Sequence, residues 1–168
     1  EKVKHLYIRR ELKDMADMVN KTVSTRYYDL DKSQVAEYDR LWSEYQSSQY
    51  ENGFDSNEDY RQLVEGMIVR QFLANQMVEN TIKLSDEKIE DGDKVVIMCT
   101  FTDELQKFKE YYGNKCVVYD GKMTSKAKDK AFDKFQNDPK VKVFVGNIVA
   151  ASVGLSLTAS HTLIFNSY

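Results

Sequence analysis

The sequence predicts an α/β fold: a parallel sheet with flanking helices, preceded by a mainly helical appendage. Three observations carry this. After residue 93, short apolar runs rich in β-branched residues (94–99, 116–119, 141–145 and 162–165) alternate with helical patterns, the rhythm of parallel strands joined by helices. Before it, apolar residues recur at helical spacing instead. Between the last two strands, Gly146, Ala150, Ala151, Ser152, Gly154, Ser156, Ala159 and Ser160 stand where a surface loop would carry bulk and charge. Small side chains at the carboxyl end of a strand admit a close neighbour, and ligands of open α/β sheets bind along that edge.

Taken in order, residues 5–18 (HLYIRRELKDMADM) pattern as a helix and 21–30 (KTVSTRYYDL) as a strand. Asp31 and Gln34 form a capping-box start, after which Val35, Tyr38, Leu41, Trp42 and Tyr45 make one aromatic-rich stripe expected to pack as core. A polar break over 47–57, with Gly53, leads to a second long helix carrying Tyr60, Leu63, Val64, Met67, Ile68, Phe72 and Met77. The charged run 84–93 ends in Asp-Gly-Asp and marks a junction, dividing the chain into residues 1–93 and 94–168. Past it, Thr102 is placed to cap a helix with Asp103 and Glu104 in its first turn, and Leu105, Phe108 and Tyr112 facing inward. Thr124 caps the next helix, which turns Ala127, Ala131, Phe132 and Phe135 inward and its lysines outward; Pro139 prevents its continuation.

The net charge is −3. Acids dominate residues 31–93, whereas the later half is basic, with Lys122, Lys126, Lys128, Lys130 and Lys134 among its lysines. Such a patch serves phosphate neutralisation or a solvated helix face. Cys99 and Cys116 border apolar runs and read as reduced, buried thiols rather than metal ligands. No apolar run has the length of a membrane span. A start at Glu1, without methionine, suggests a piece of a longer chain.

Four features fall at carboxyl ends of successive strands: Thr100-Phe101-Thr102, Asp120-Gly121-Lys122, the segment from Gly146 and Asn147 to Gly154, and Asn166-Ser167. Hydroxyls, amides and a lysine on one sheet edge suit phosphate binding. There is no G-x-x-x-x-G-K-[ST] loop, no G-x-G-x-x-G and no nucleophile elbow, and His5 and His161 lie far apart. A self-contained NTPase, a dinucleotide fold and a hydrolytic triad therefore lack sequence support. Two other readings stay open: a non-enzymatic α/β protein-interaction module, and half of a glycosyl- or nucleotidyl-transferase, although the latter wants an acidic pair.

The ordered run VVIMCTFTDELQKFKEYY, then VVYDGKMTSKAKDKAFDKFQNDPKVKVFVGNIVAASVGLSLTASHTLIFNSY, resembles the second RecA-like lobe of superfamily-two helicases, within the SWI/SNF-like DNA translocases that include annealing-helicase-like members. The earlier LYIRRELKDM and VRQFLAN resemble, more loosely, the entry to that lobe and the helix before its linker. The resemblance implies that Thr100 and Phe101 (motif IV), with Asp120, Gly121 and Lys122, meet the backbone of the tracked strand. It implies that Asn147, Ile148, Ala151 and Ser152 form the DNA-facing half of motif V, and Gly154, Leu155 and Ser156 its nucleotide-facing half. Val149, Ser152 and Ser156 stand where the family commonly has a basic residue, a glycine and an asparagine. Motif VI and its arginine fingers would follow Tyr168. The implied cofactors are ATP and Mg²⁺ in a two-lobe enzyme, and the implied partners are DNA and the other RecA-like lobe; apart from the resemblance, the acidic helical part offers a surface for a protein partner. No catalytic residue or metal ligand is assigned in this chain, which alone should neither hydrolyse ATP nor hold it tightly. The composition suggests a bacterial or phage source and a cytoplasmic protein, or a nuclear one if eukaryotic.

Overall fold

A computed structural model describes residues 22–50, 56–152 and 154–168. The helix expected over 5–18 and the break at Gly53 lie outside them, as do the side chains of Tyr60 and Leu63. Residues 22–30 form no strand, contrary to their alternation. Among the described residues no strand pairs with them, and Val23 and Tyr27 lie exposed.

Helix α1 (Lys32–Tyr50) starts on the predicted capping box. Asp31 Oδ1 accepts from the Ser33 and Gln34 N–H groups at 2.8 and 2.9 Å, and Gln34 Oε1 accepts from the Asp31 N–H at 2.9 Å. Helix α2 (Ser56–Glu90) has 35 residues, so at about 1.5 Å per residue it is ~52 Å long. Both helices run into the expected polar break, which is helical up to Tyr50 and again from Ser56. The charged run after residue 84 is likewise helical to Glu90, and the turn comes at Gly92, whose φ of 93° suits glycine.

The sheet contains β1 (Val95–Cys99), β2 (Cys116–Tyr119), β3 (Val143–Asn147) and β4 (Thr162–Phe165), in the order β2-β3-β1-β4, all parallel. Joining them are α3 (Thr102–Tyr112), a 3₁₀ turn (Gly113–Lys115), α4 (Ser125–Asn137) and the short α5 (Ile148–Ala151). Strand β3 lies two residues later than the sequence suggests, so Gly146 and Asn147 belong to it, and part of the small-residue segment is helical.

Alternate residues of the strands feed two cores. Val95, Ile97, Cys99, Cys116, Val143 and Val145 meet Val78, Leu105 and Phe108 from α2 and α3. Val96, Val117, Tyr119 and Phe144 meet Ala131 and Phe135 from α4 and Ala151 from α5. Fully burying side chains such as Phe108, Phe135 and Phe144 contributes about 1.5–3 kcal/mol each. Two expectations of burial fail at the margins. Strand β4 is an edge strand with Leu163 and Phe165 53% and 55% exposed, because their face of the sheet extends beyond the core under α4. The stripes of α1 and α2 are only half covered: Val35, Trp42, Val64, Met67 and Ile68 are exposed, since these parts of the helices pack mainly on each other. Among the described side chains of α2, Val69, Ala74, Val78, Thr81 and Ser85 are buried.

Candidate nucleic-acid interface

Because all four strands are parallel, their carboxyl ends share one edge, and the four features read from the sequence stand there together. Hydrogen bonds link three of them. Asn147 Nδ2 donates to the Thr100 carbonyl at 2.9 Å, and the Thr100 N–H donates to Ser167 Oγ at 2.8 Å. The Thr100 backbone is thus held at both of its polar groups, the carbonyl by the end of β3 and the N–H by the end of β4. Asn147 also caps α5, its Oδ1 accepting from the Val149 and Ala150 N–H groups at 3.0 and 3.3 Å. The Asp120-Gly121 turn approaches the same loop from β2: a Cβ on Gly121 would lie 3.9 Å from that of Ala150.

Within this frame the expected DNA-facing residues differ in what they present. Gly121, Lys122 and Ser152 are exposed, while Thr100, Asp120, Asn147 and Ile148 are half-buried. The Phe101 and Ala151 side chains are buried, so neither is displayed at the surface. Phe101, not Thr102, is the N-cap of α3, and the cap interaction comes from Glu104, whose Oε1 accepts from the Phe101 N–H at 2.9 Å. Thr124 caps α4 as expected, accepting from the Ala127 N–H at 3.3 Å. Lys126, Lys130 and Lys134 are exposed, whereas Lys128 is half-buried with its Nζ 5.3 Å from the centre of the Tyr119 ring.

On the expected nucleotide-facing side, Gly154 and Ser156 are exposed and Leu155 is half-buried. Gly154 has φ 79°, and apart from its chain neighbours no described residue comes within 4 Å of where a Cβ would stand. The close approach anticipated in this segment occurs at Gly146 instead, where a Cβ would lie 3.1 Å from Ala151 Cβ and from Phe144 Cε1, and 3.2 Å from Met98 Sδ. Gln136 of α4 fastens the loop: its Nε2 donates to the Ser156 carbonyl at 2.6 Å and its Oε1 accepts from the Ala159 N–H at 2.9 Å. Sequence reading passed over Gln136 and gave Glu104 only a dipole role; an acid at the third helical position was the available signal for Glu104 as a cap.

Burial pushes the Cys116 thiol up to about 12 and the Cys99 thiol higher still, with the neighbouring Glu104 adding to the latter. Burial also pushes Asp103 up, but hydrogen bonds from Asn75 and Gln71 outweigh it and leave its carboxyl below the usual range. His161 lies at the opposite edge of the sheet, its side chain 91% exposed and Nδ1 3.6 Å from Asp93.

Residues 75–168 match the family model of the helicase conserved C-terminal domain. The chain belongs to this family. The helicase C-terminal domain found here is 34% identical over 82 residues to the DNA repair protein rad8 of Schizosaccharomyces pombe, covering 46% of this chain and 7% of that protein. Curated relatives come from Mycoplasma and from S. pombe alike, so the similarity does not support a specifically bacterial or phage source. This chain spans a tenth or less of their length. Its fold is shared with the Sulfolobus solfataricus SWI2/SNF2 ATPase core domain, at a TM-score of 0.75 and 19% identity over 94% of this chain and 36% of that one. The same core solved in complex with dsDNA gives 0.64 and 21% over 82% and 33%. The helicase family is thereby borne out, and the fold expected from the resemblance is the one these SWI2/SNF2 structures share. Among the described residues, no helix is long and apolar enough to cross a membrane.

Proposed function

We propose that this helicase C-terminal domain grips the DNA backbone as the second lobe of an ATP-driven translocase and lines one side of its nucleotide cleft. The observation that carries the reading is the Thr100 carbonyl accepting from Asn147 Nδ2: it ties two loops expected to face DNA into one surface on the sheet edge. Lys122 stands exposed on the adjoining turn, where a cation neutralises a phosphate. Thr100, Asp120, Asn147 and Ser152 at this edge are polar, which suits contact with a sugar-phosphate chain whatever its sequence. The dsDNA complex of a protein with this fold supports the same reading.

For the nucleotide, the exposed Gly154 backbone fits, since nothing crowds the place of its missing Cβ and a phosphate oxygen can come near. Gly154, Leu155 and Ser156 would hold this side of ATP, whose phosphoryl transfer to water supplies the free energy for movement. The described residues contain no group of three or more Asp, Glu, His or Cys that could hold a metal ion; Mg²⁺ would be held by the opposing lobe.

Titrating a fluorescent duplex with this chain at several salt concentrations tests the grip. Neutralising about two or three phosphates predicts a log–log salt slope of roughly −2 and a dissociation constant of about 10⁻⁴–10⁻⁶ M. Lys122→Ala should weaken binding and flatten the slope by about one. Absence of salt-dependent binding, with Lys122→Ala indistinguishable from the unaltered chain, would favour a protein-interaction module instead.

A further inference from the structure

The Glu104 side chain is fully buried, yet it sits in the first turn of α3 beside the strand exits. A carboxylate there loses its hydration, and only donors supplied by the protein offset that loss. Three are present. Oε1 accepts from the Phe101 N–H at 2.9 Å and from the Ser167 hydroxyl at 2.7 Å, which also lies 2.9 Å from Oε2; Oε2 accepts from Asn166 Nδ2 at 2.5 Å. The amino end of α3 favours the same charge.

The direction of the next bonds is forced. Ser167 has one hydroxyl proton and gives it to the carboxylate, so its oxygen is left to accept from the Thr100 N–H. The Thr100 carbonyl then accepts from Asn147, whose other amide atom caps α5. On the far side Asn166 is locked as well, its Nδ2 donating to the Ala74 carbonyl at 2.9 Å and its Oδ1 accepting from Thr81 Oγ1 at 2.7 Å. One network of bonds therefore runs from α2 through the exit of β4 and Glu104 to the two peptides that flank the Thr100 Cα, and on to α5. A helix cap needs only the Phe101 bond; the bonds through Ser167 go beyond it.

We propose that Glu104 and Ser167 are positioning residues for the DNA grip, Ser167 holding the Thr100 N–H and Glu104 the Phe101 N–H, so that the Thr100 backbone between them, and through its carbonyl the Asn147 loop, keeps the attitude in which both meet one strand. This rests on the DNA-gripping reading above. Ser167→Ala removes the hold on the Thr100 N–H and leaves Glu104 its bonds from Phe101 and Asn166. In the duplex titration it should weaken binding roughly five- to tenfold, the size of one net hydrogen bond, with the salt slope unchanged because no cation is lost. Ser167→Thr, which keeps the hydroxyl, should bind within about twofold of the unaltered chain. Glu104→Gln gives a second variant: its amide oxygen still caps Phe101, but its NH₂ faces a donor, so it too should bind less tightly at the same slope.

Thermal melting of each variant separates lost affinity from lost folding. If the unaltered chain binds and folded Ser167→Ala or Glu104→Gln binds equally well, the positioning role is overturned and the cluster only stabilises the fold. A Ser167→Thr variant as weak as Ser167→Ala also overturns it, since the hydroxyl would then not be the operative group. Failure of the unaltered chain to bind duplex removes the DNA reading itself, and the positioning role with it.

Discussion

Two glycines of the small-residue segment are needed for different reasons, and substitution separates them. At Gly146 any side chain meets three neighbours within 3.2 Å, so Gly146→Ala should cost about 1–3 kcal/mol by overpacking. Gly154 lies in open space with φ 79°. Gly154→Ala should cost roughly 1–2 kcal/mol through backbone strain alone, and Gly154→Val adds β-branched stiffness but no clash. Urea unfolding of each variant measures this; equal and negligible costs would contradict both accounts. Asp93 has its own signature. Burial pushes its carboxyl up, but Thr162 Oγ1 at 2.7 Å and the N–H groups of His161 and Lys94 outweigh burial and leave it lowered. A folded-state value below the unfolded one stabilises the fold above about pH 4, and this contribution is lost as pH falls further through the folded value. Thermal melts from pH 7 to pH 3 should show Asp93→Asn losing less stability on acidification than the unaltered chain.

Strands and helices differ in how evenly they are covered. Phe144 on β3 is sealed between α4 and the sheet and touches the Phe135 and Tyr119 rings, whereas Phe165 on β4 keeps more than half its surface in water. Phe144→Ala should therefore cost about 3–5 kcal/mol, and Phe165→Thr less than about 1 kcal/mol, since little buried area is lost. Chemical denaturation distinguishes them; a large cost for Phe165→Thr would mean that its face is covered in solution. Helix α2 serves two neighbours along its length. Its later part feeds Val78, Ile82 and Ile89 to the sheet, while near its start Gly66 lets the Tyr45 ring of α1 approach, at 3.4 Å from where a Cβ would stand. Gln34 Nε2 reaches Gln76 Oε1 across the same pair at 2.7 Å. Among the charged residues 84–90, α2 turns Ser85 and Ile89 inward, the serine buried with its Oγ donating to the Thr81 carbonyl at 2.7 Å and the isoleucine packed on the core.

Across the molecule, Cys99 on central β1 and Cys116 on edge strand β2 report whether the sheet opens as one unit. Both are buried and free, and burial holds both thiols protonated near neutral pH. A disulfide reagent at pH 8 should find no reactive thiol in the native chain, and both should react together as denaturant unfolds it. Reaction of Cys116 well before Cys99 would show that β2 leaves the sheet first. The sequence by itself determined the α/β class, the four strands, the caps at Asp31 and Thr124 and the family, because each is written in local periodicity, capping chemistry or an ordered run of motifs. It also placed Thr100, Asp120, Lys122 and Asn147 at strand ends, since the parallel rhythm requires a shared edge. Only the tertiary structure decided which apolar residues are covered, as Leu163, Phe165 and Trp42 show, because coverage depends on which neighbour lies across the face. Only it brought Glu104 to Ser167 and Asn147 to Thr100, partners 63 and 47 residues apart. Such pairs carry no local signal: a buried carboxylate and a solvated one look alike until the donors that replace its water are in place.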